Sequence, residues 1–293
     1  MVIYAPAKVN LYLKVLGRRP DGYHNIETIF ERIALFDKID LRSLPDGRIK
    51  IFSDHTEVPV GKKSLAYRTV DLLKRRFGVR NGVEVRISKR IPVASGLAGG
   101  SSDAACILTG LNRLWRLRLK EPELAEFGKG LGADIPFFIG KSSFAAARGK
   151  GDEITPLHWK VKLWHLLVSF PVRLLSKNIY GAYSQNIASG LTKPSRITKI
   201  LCPKPAKAKF ADIKKFIGND LERVVIEKKP VVGRLKNALK EIGLARSLVT
   251  GSGPSVFTLF EKRKEVASAK ELLVKRFPII RKEGWQIFIV PTL

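Results

Sequence analysis

The chain has 293 residues, of which 45% are hydrophobic and 27% are charged, which excludes a disordered, collagen-like or coiled-coil protein. Its length favours two domains or one large domain. Lysine and arginine together number 54 against 26 aspartates and glutamates, a formal net charge of +28. This excess favours anionic partners such as phosphorylated metabolites, nucleic acid or a membrane surface, although an organism with basic proteins in general would give the same excess.

The sequence shows no signs of export or of membrane insertion. No stretch approaches the roughly 18 uninterrupted apolar residues of a membrane-spanning helix, and the first residues do not form the pattern of a signal peptide. The two cysteines, Cys106 and Cys202, are too few for a disulfide framework. We therefore expect a cytoplasmic protein without a membrane partner.

The first half of the chain predicts a mixture of strands and helices. Apolar and β-branched residues predict strands over 2–16, 25–35, 38–43, 48–53 and 83–87. The periodicity of apolar residues predicts helices over 64–77, where Gly78 ends the helix, after Ala105, and over 123–131.

The second half predicts a separate α+β unit. We expect a domain boundary near residue 158, so that the two domains cover 1–157 and 158–293. The predicted elements of the second domain are a strand over 161–170, several helices, two strands within 247–260, a helix near 263–276 and a strand over 285–291.

One long window of the chain contains no acidic residue. Residues 154–211 hold ten lysines and arginines and no aspartate or glutamate. The window fits a solvated basic surface, an electrostatic funnel for an anionic ligand, or a nucleic-acid patch. Aromatic residues are sparse in it and it carries no RNA-binding motif, which disfavours the last interpretation.

The glycine- and serine-rich segment 95–102 is the most informative stretch, because it follows a predicted strand and opens a helix. Glycines let the backbone approach a ligand closely, and the free N–H groups of a helix N-terminus bind anions. Ser101 and Ser102 add hydroxyl donors or a metal-facing oxygen. The segment is neither a Walker A loop nor a dinucleotide-binding fingerprint. It predicts a phosphate-binding loop, with a structural glycine turn as the alternative.

Three segments resemble the motifs of the GHMP kinases, in the same order along the chain. They are Pro6–Leu11, Pro92–Ala105 and Val249–Phe257. The resemblance implies an α+β fold of two lobes, with an N-terminal domain similar to domain 2 of ribosomal protein S5 (1–157) and a ferredoxin-like C-terminal domain (158–293). ATP and the substrate would lie in the cleft between the two lobes.

The segment Val15–Thr28 narrows the resemblance to the GHMP kinases that act on a cytidine diphosphate derivative of methylerythritol in the non-mevalonate isoprenoid route. This implies phosphoryl transfer from ATP to the 2-hydroxyl of a small anionic substrate, with Mg²⁺. We expect a monomer or homodimer and no obligate nucleic-acid partner, although weak nonspecific binding of nucleic acid would fit the charge. The alternatives are a GHMP kinase with another alcohol acceptor and a basic nucleic-acid-binding protein on the same fold.

The resemblance assigns catalytic roles to two residues. Transfer to an alcohol needs alignment, neutralisation of charge and a proton acceptor. Asp134 would be the base and Lys8 the cation that keeps its carboxylate ionised and faces the transferred group. Taken without the family, Asp134 fits a helix cap or turn former, and Lys8 fits an exposed strand lysine.

The resemblance also assigns the binding residues, and it leaves the metal ligands open. The ATP-binding loop would consist of Pro92, Val93, Ala94, Ser95, Gly96, Leu97, Ala98, Gly99, Gly100, Ser101 and Ser102. The third-motif loop would contribute Gly251, Ser252 and Gly253. The substrate would contact Asn10, Tyr23, His24, Phe30 and Tyr180, with the two tyrosines on opposite faces of the cytosine. Without the family, Tyr23 and His24 fit packing residues of a loop, and Asp103 fits an acid of a helix N-terminus better than a ligand.

Overall fold

A computed structural model describes residues 1–187 and 208–293. The described strands are β1 (Val2–Arg18), β2 (His24–Leu44), β3 (Ile49–Ser53), β4 (Gly82–Ser88), β5 (Phe144–Arg148), β6 (Glu153–Leu157), β7 (Trp164–Ser169), β8 (Gly218–Asn219), β9 (Leu248–Val249), β10 (Val256–Phe260) and β11 (Gln286–Pro291). The described helices are α1 (Leu65–Phe77), α2 (Gly99–Leu114), α3 (Glu121–Leu131), α4 (Ile135–Ile139), α5 (Ser176–Ile187), α6 (Phe210–Phe216), α7 (Glu222–Lys228), α8 (Pro230–Glu241), α9 (Arg263–Arg276) and α10 (Ile279–Lys282).

The first sheet is built on the long antiparallel pair β1 and β2. Its order is β3-β4-β2-β1-β8, with β5 paired to β2 and β6 paired to β5. The prediction of two separate strands over 25–35 and 38–43 is wrong, because β2 runs without a break from His24 to Leu44. The pairing register shifts between Pro6, which lies opposite Phe36, and Ala7, which lies opposite Ile33. The ladder continues on both sides of this bulge, so β2 stays one strand although its apolar pattern changes there.

Helices α1 and α2 pack on one face of this sheet. Val70 and Leu73 of α1 and Leu108 and Leu111 of α2 are buried in the same core cluster. Helix α2 begins at Gly99, inside the glycine-rich segment that was predicted to open a helix, and before the apolar periodicity that follows Ala105. The first turn of α2 is therefore part of the predicted phosphate loop. Helix α4 and strands β5 and β6 were not predicted, because they are short and have no clear periodicity of their own.

The second sheet has the order β11-β7-β10-β9, and all its pairs are antiparallel. A core cluster joins the two sheets, with Val9 and Ile29 from the first and Leu167 and Phe257 from the second. The short strand β8 also pairs in parallel with β1. The chain passes from one sheet to the other between β6 and β7, where the predicted boundary at 157/158 lies, and the division into two domains stays a prediction.

The acid-free window is described only in part. Residues 188–207, which include Cys202, Lys193, Arg196, Lys199, Lys204 and Lys207, lie outside the described residues. Of the helices in the two described ranges, none is both long and apolar enough to cross a membrane.

Candidate active site

A cavity of about 1250 Å³ brings most of the predicted site residues together. Its walls come from β1 and β2, the segment before α2, the start of α4, helix α5 and the third-motif loop. The predicted residues that line it are Lys8, Asn10, Tyr23, His24, Phe30, Pro92, Val93, Ala94, Ser95, Gly96, Ala98, Gly99, Gly100, Ser101, Asp134, Tyr180, Gly251 and Ser252.

Three predicted site residues do not line this cleft. Leu97 is fully buried in the core cluster between the sheets. Ser102 is also fully buried, and its hydroxyl has no hydrogen-bond partner within the described part of the chain. Gly253 faces Val225, because a Cβ atom added to it would lie 2.7 Å from Cγ1 of that residue. These three residues pack behind the residues that line the cleft.

The predicted phosphate loop has a backbone that few sequences can adopt. Ala94 and Ala98 have φ angles of 51° and 56°, in the left-handed region. Gly96 has φ +83°, and a Cβ atom there would lie 2.3 Å from the carbonyl oxygen of Thr250. The loop therefore rests directly on the third-motif loop, and glycine permits this approach. Because α2 starts at Gly99, the N–H groups of its first turn lie at the cleft, an arrangement that can bind an anion.

A buried charge cluster lies beneath this loop. The ammonium of Lys89 is paired with both Asp37 and Asp103, and it lies 2.9 Å from Oδ2 of Asp103. Burial raises the pKa of Asp103 to about 7, with the Lys89 ammonium opposing the rise and the Asp37 carboxylate adding to it. Neither Lys89 nor Asp37 was predicted from the sequence. A lysine after a half-buried strand gave no signal, because its partners are distant in sequence.

Lys8 and Asp134 meet at the centre of the cleft. Lys8 is only 4% exposed, so the interpretation as an exposed strand lysine is wrong. Its Nζ lies 4.0 Å from Oδ1 of Asp134, whose side chain is 33% exposed, and 5.0 Å from the centre of the Phe30 ring. Asp134 precedes α4 without making a side-chain cap hydrogen bond, so its carboxylate faces the cleft and not the helix backbone.

The charges of Lys8 and Asp134 suit a reaction on an anionic group. Burial lowers the pKa of Lys8 from its ordinary value of 10.5, and the Asp134 carboxylate opposes that shift. A carboxylate that faces the cleft beside a cation can accept a proton from a bound alcohol. The ammonium also provides positive charge in a site where water screens it poorly.

Aromatic rings line another part of the cleft. The rings of His24 and Tyr180 lie 5.2 Å apart at an angle of 30°, and Nε2 of His24 is 2.5 Å from Oγ of Ser184. Burial, with the nearby Arg18 cation, lowers the pKa of His24. Tyr23 is 59% exposed, with Nζ of Lys150 5.0 Å from its ring centre, so it is available for stacking and is not a packing residue.

Two families of domains match the sequence. Residues 64–141 match the GHMP kinases N terminal domain, and residues 206–279 match the GHMP kinases C terminal family. The N-terminal match contains the phosphate loop and Asp134. Solved structures of more distant kinases agree on the fold: the homoserine kinase from Cytophaga hutchinsonii covers 100% of this chain and 94% of its own, with a TM-score of 0.73 at 17% identity.

Closer relatives identify one branch of this superfamily. The 4-diphosphocytidyl-2-C-methyl-D-erythritol kinase of Synechococcus sp. (strain JA-3-3Ab) is 38% identical over 99% of this chain and 94% of its own. That of Geobacillus kaustophilus is 40% identical over 88% of each chain. A crystal structure of a 4-(cytidine 5'-diphospho)-2C-methyl-D-erythritol kinase has a TM-score of 0.77 at 29% identity and covers 99% of each chain. The chain therefore belongs to the 4-diphosphocytidyl-2-C-methyl-D-erythritol kinases, a family within the two-lobed GHMP kinases.

Proposed function

We propose that this protein transfers the γ-phosphoryl group of ATP to the 2-hydroxyl of 4-diphosphocytidyl-2-C-methyl-D-erythritol, a step of the non-mevalonate isoprenoid route. The observation that carries the proposal is the position of Lys8 and Asp134 in one cleft with the phosphate loop and the aromatic residues. A kinase for a nucleotide-linked alcohol needs these parts side by side. The loop holds the donor, the rings hold the base of the acceptor, and the pair acts between them.

Asp134, Lys8 and the start of α2 have separate roles in the reaction. Asp134 accepts the proton of the 2-hydroxyl while the oxygen of that hydroxyl forms the bond to the γ-phosphorus. The bond from that phosphorus to the bridging oxygen of ADP breaks, and ADP leaves with that electron pair. Lys8 stabilises the negative charge on the transferred group, and the N–H groups at the start of α2 hold the donor phosphates.

The rings would select the base of the acceptor. Tyr23, His24 and Tyr180 line the cleft, and a cytosine stacks favourably on such rings. Because its pKa is lowered, His24 is neutral at neutral pH and offers a nitrogen for a hydrogen bond to the base. Asn10 and Phe30 lie beside Lys8 and would contact the acceptor near the reacting hydroxyl.

Mg²⁺ belongs to this proposal. Proteins usually hold Mg²⁺ through one or two oxygen ligands together with the phosphates of a nucleotide. The hydroxyl of Ser101 lies in the cleft and suits such a hard cation. The described residues contain no group of three or more His, Cys, Asp or Glu side chains that could hold a metal, which fits an ion carried mainly by the nucleotide. When bound, Mg²⁺ would neutralise charge on the β- and γ-phosphates.

The basic side chains that line the cleft fit an anionic acceptor as well as ATP. Arg18, Lys150, Arg173 and Lys177 line the cleft, and the last two belong to the acid-free window. This arrangement supports the interpretation of part of the window as an electrostatic funnel. A cytoplasmic location and a monomeric or homodimeric state stay predictions from the sequence.

Turnover of ATP to ADP with Mg²⁺ and 4-diphosphocytidyl-2-C-methyl-D-erythritol tests the proposal. We expect the wild-type protein to form product and Asp134→Asn to turn over about 10²- to 10⁴-fold more slowly, with its KM for ATP retained. A parallel panel of mevalonate, homoserine and galactose should give no product. Turnover with one of these alcohols and not with the cytidine compound would contradict the substrate, and normal turnover by Asp134→Asn would contradict the base.

A further inference from the structure

Arg32 is a buried cation that the reaction described above does not use. It lies on β2 directly opposite Lys8 in the β1–β2 ladder and is 8% exposed. No acidic side chain of residues 1–187 and 208–293 forms an ion pair with it. A buried arginine without a carboxylate partner is uncommon, because removing its charge from water is costly.

The hydrogen bonds of Arg32 go to the end of α4. Its Nη2 donates to the carbonyl oxygen of Phe137 at 2.6 Å and to that of Gly140 at 2.7 Å. These carbonyls belong to the last turn of a helix whose N-cap is Asp134. Carbonyls at a helix C-terminus lack partners within the helix, so one guanidinium satisfies groups that would otherwise be unpaired.

Contacts between aromatic rings link Arg32 to Lys8. The guanidinium carbon lies 5.0 Å from the centre of the Phe137 ring, and that ring lies 5.1 Å from the ring of Phe30. Phe30 in turn lies beneath the ammonium of Lys8. Two neighbouring cations of the same ladder therefore hold α4, with Lys8 facing Asp134 at its start and Arg32 bonded to its end.

We propose that Arg32 is a positioning residue for phosphoryl transfer, which fixes α4 and so sets the place of the Asp134 carboxylate relative to Lys8. The inference rests on the proposed function, because it needs Asp134 to be the base. Helix α4 has only five residues, so a displacement of its last turn also moves its first. Burial lowers the pKa of Arg32 to about 10, with Cys106 and Glu121 opposing the shift, and the guanidinium remains charged at neutral pH.

The test compares Arg32→Met with Arg32→Lys, alone and in the Asp134→Asn protein. Methionine keeps an unbranched apolar stem and removes both hydrogen bonds. We expect Arg32→Met to lower kcat about 10- to 100-fold with KM for ATP and acceptor within twofold, because small displacements of a catalytic group cost that much. Arg32→Lys should fall between wild type and Arg32→Met. In the Asp134→Asn protein, Arg32→Met should lower kcat by less than twofold further.

Two results would overturn the inference. One is a kcat of Arg32→Met within twofold of wild type, and the other is an equal fall in the Asp134→Asn protein, which would show that Arg32 does not act through the base. If Arg32→Met does not fold, the kcat of Arg32→Lys is compared in the same way, in the wild-type and in the Asp134→Asn protein. The control is Arg42→Met, because Arg42 lies on the same strand, exposed and outside the cleft, and its kcat should match wild type. Normal turnover by Asp134→Asn alone would refute the proposed base instead.

Discussion

The ammonium of Lys8 donates its short hydrogen bond to Asn10 and not to Asp134. Its Nζ lies 2.6 Å from Oδ1 of Asn10, and 4.0 Å from Oδ1 of Asp134. The amide nitrogen of Asn10 in turn donates to Oγ1 of Thr28 at 2.7 Å. The amide therefore holds the ammonium in place and leaves the Asp134 carboxylate free to accept a proton.

This arrangement predicts how activity depends on pH at the alkaline end. Burial lowers the pKa of Lys8 below 10.5, so kcat should fall as pH rises through that lowered value and the cation is lost. Asn10→Leu removes a hydrogen bond to the charged form and should move the fall about one to two pH units lower, because such a bond contributes about 1.5–3 kcal/mol. Measurement of kcat from pH 7 to 11 tests this.

The matched control for Asn10→Leu is Thr28→Ser. It keeps the hydroxyl that accepts from Asn10, so its alkaline fall should coincide with that of wild type. An Asn10→Leu protein with the alkaline fall of wild type would show that this amide does not govern the charge of Lys8.

Gly96 allows a second test, of the contact between the two glycine-rich loops. A methyl group at this position would lie 2.3 Å from the Thr250 carbonyl oxygen, on a backbone whose φ of +83° disfavours side chains. Gly96→Ala should therefore push the phosphate loop off the third-motif loop. We expect KM for ATP to rise at least tenfold and the free energy of unfolding to fall by about 1–3 kcal/mol.

Gly130→Ala is the control for that substitution. Gly130 lies in α3, and a methyl group added there would point into open space, so the variant should leave KM for ATP unchanged. Alanine in the helix should raise the free energy of unfolding by about 0.5–1 kcal/mol. Nucleotide titrations and urea unfolding of both variants make the comparison, and equal ATP affinities would show that the loops do not depend on this contact.

The sequence could predict the site where the chemistry depends on short motifs. The glycine-rich segment predicts an anion site because its local conformation and its place before a helix are enough to form one. Lys8 and Asp134 came from the family motifs, since neither strand periodicity nor turn composition distinguishes them from a surface lysine or a helix cap. The structure adds that both residues lie in one cleft.

Contacts between distant parts of the chain could not be predicted in this way. Lys89 and Asp37 are 52 residues apart, and the two carbonyls that Arg32 holds lie 105 and 108 residues beyond it. Each such residue looks in sequence like an ordinary charge on a strand or in a turn. The register of β4 on β2 sets the partner of Lys89, and the packing of α4 against α2 and β6 sets those of Arg32.

A buried polar cluster joins the two sheets. Nε2 of His165 on β7 lies 2.9 Å from Oε2 of Glu31 on β2, and its Nδ1 lies 3.1 Å from the carbonyl oxygen of Val290. Both ring nitrogens thus face oxygen atoms that can accept a hydrogen bond. Thr292 donates to the other oxygen of Glu31 at 2.7 Å.

Removal of one partner should be costly, because the polar group of the other stays buried without its hydrogen bond. We expect His165→Leu to lower the free energy of unfolding by about 3–5 kcal/mol in urea denaturation. Replacement of both residues, as in Glu31→Met with His165→Leu, should recover most of that loss, since apolar side chains fill a buried site at little cost. For comparison, Arg234→Met breaks the exposed pair with Glu283 and should change stability by less than about 1 kcal/mol. A double variant no more stable than His165→Leu would mean that packing of the ring, and not its hydrogen bond to Glu31, holds the two sheets together at this point.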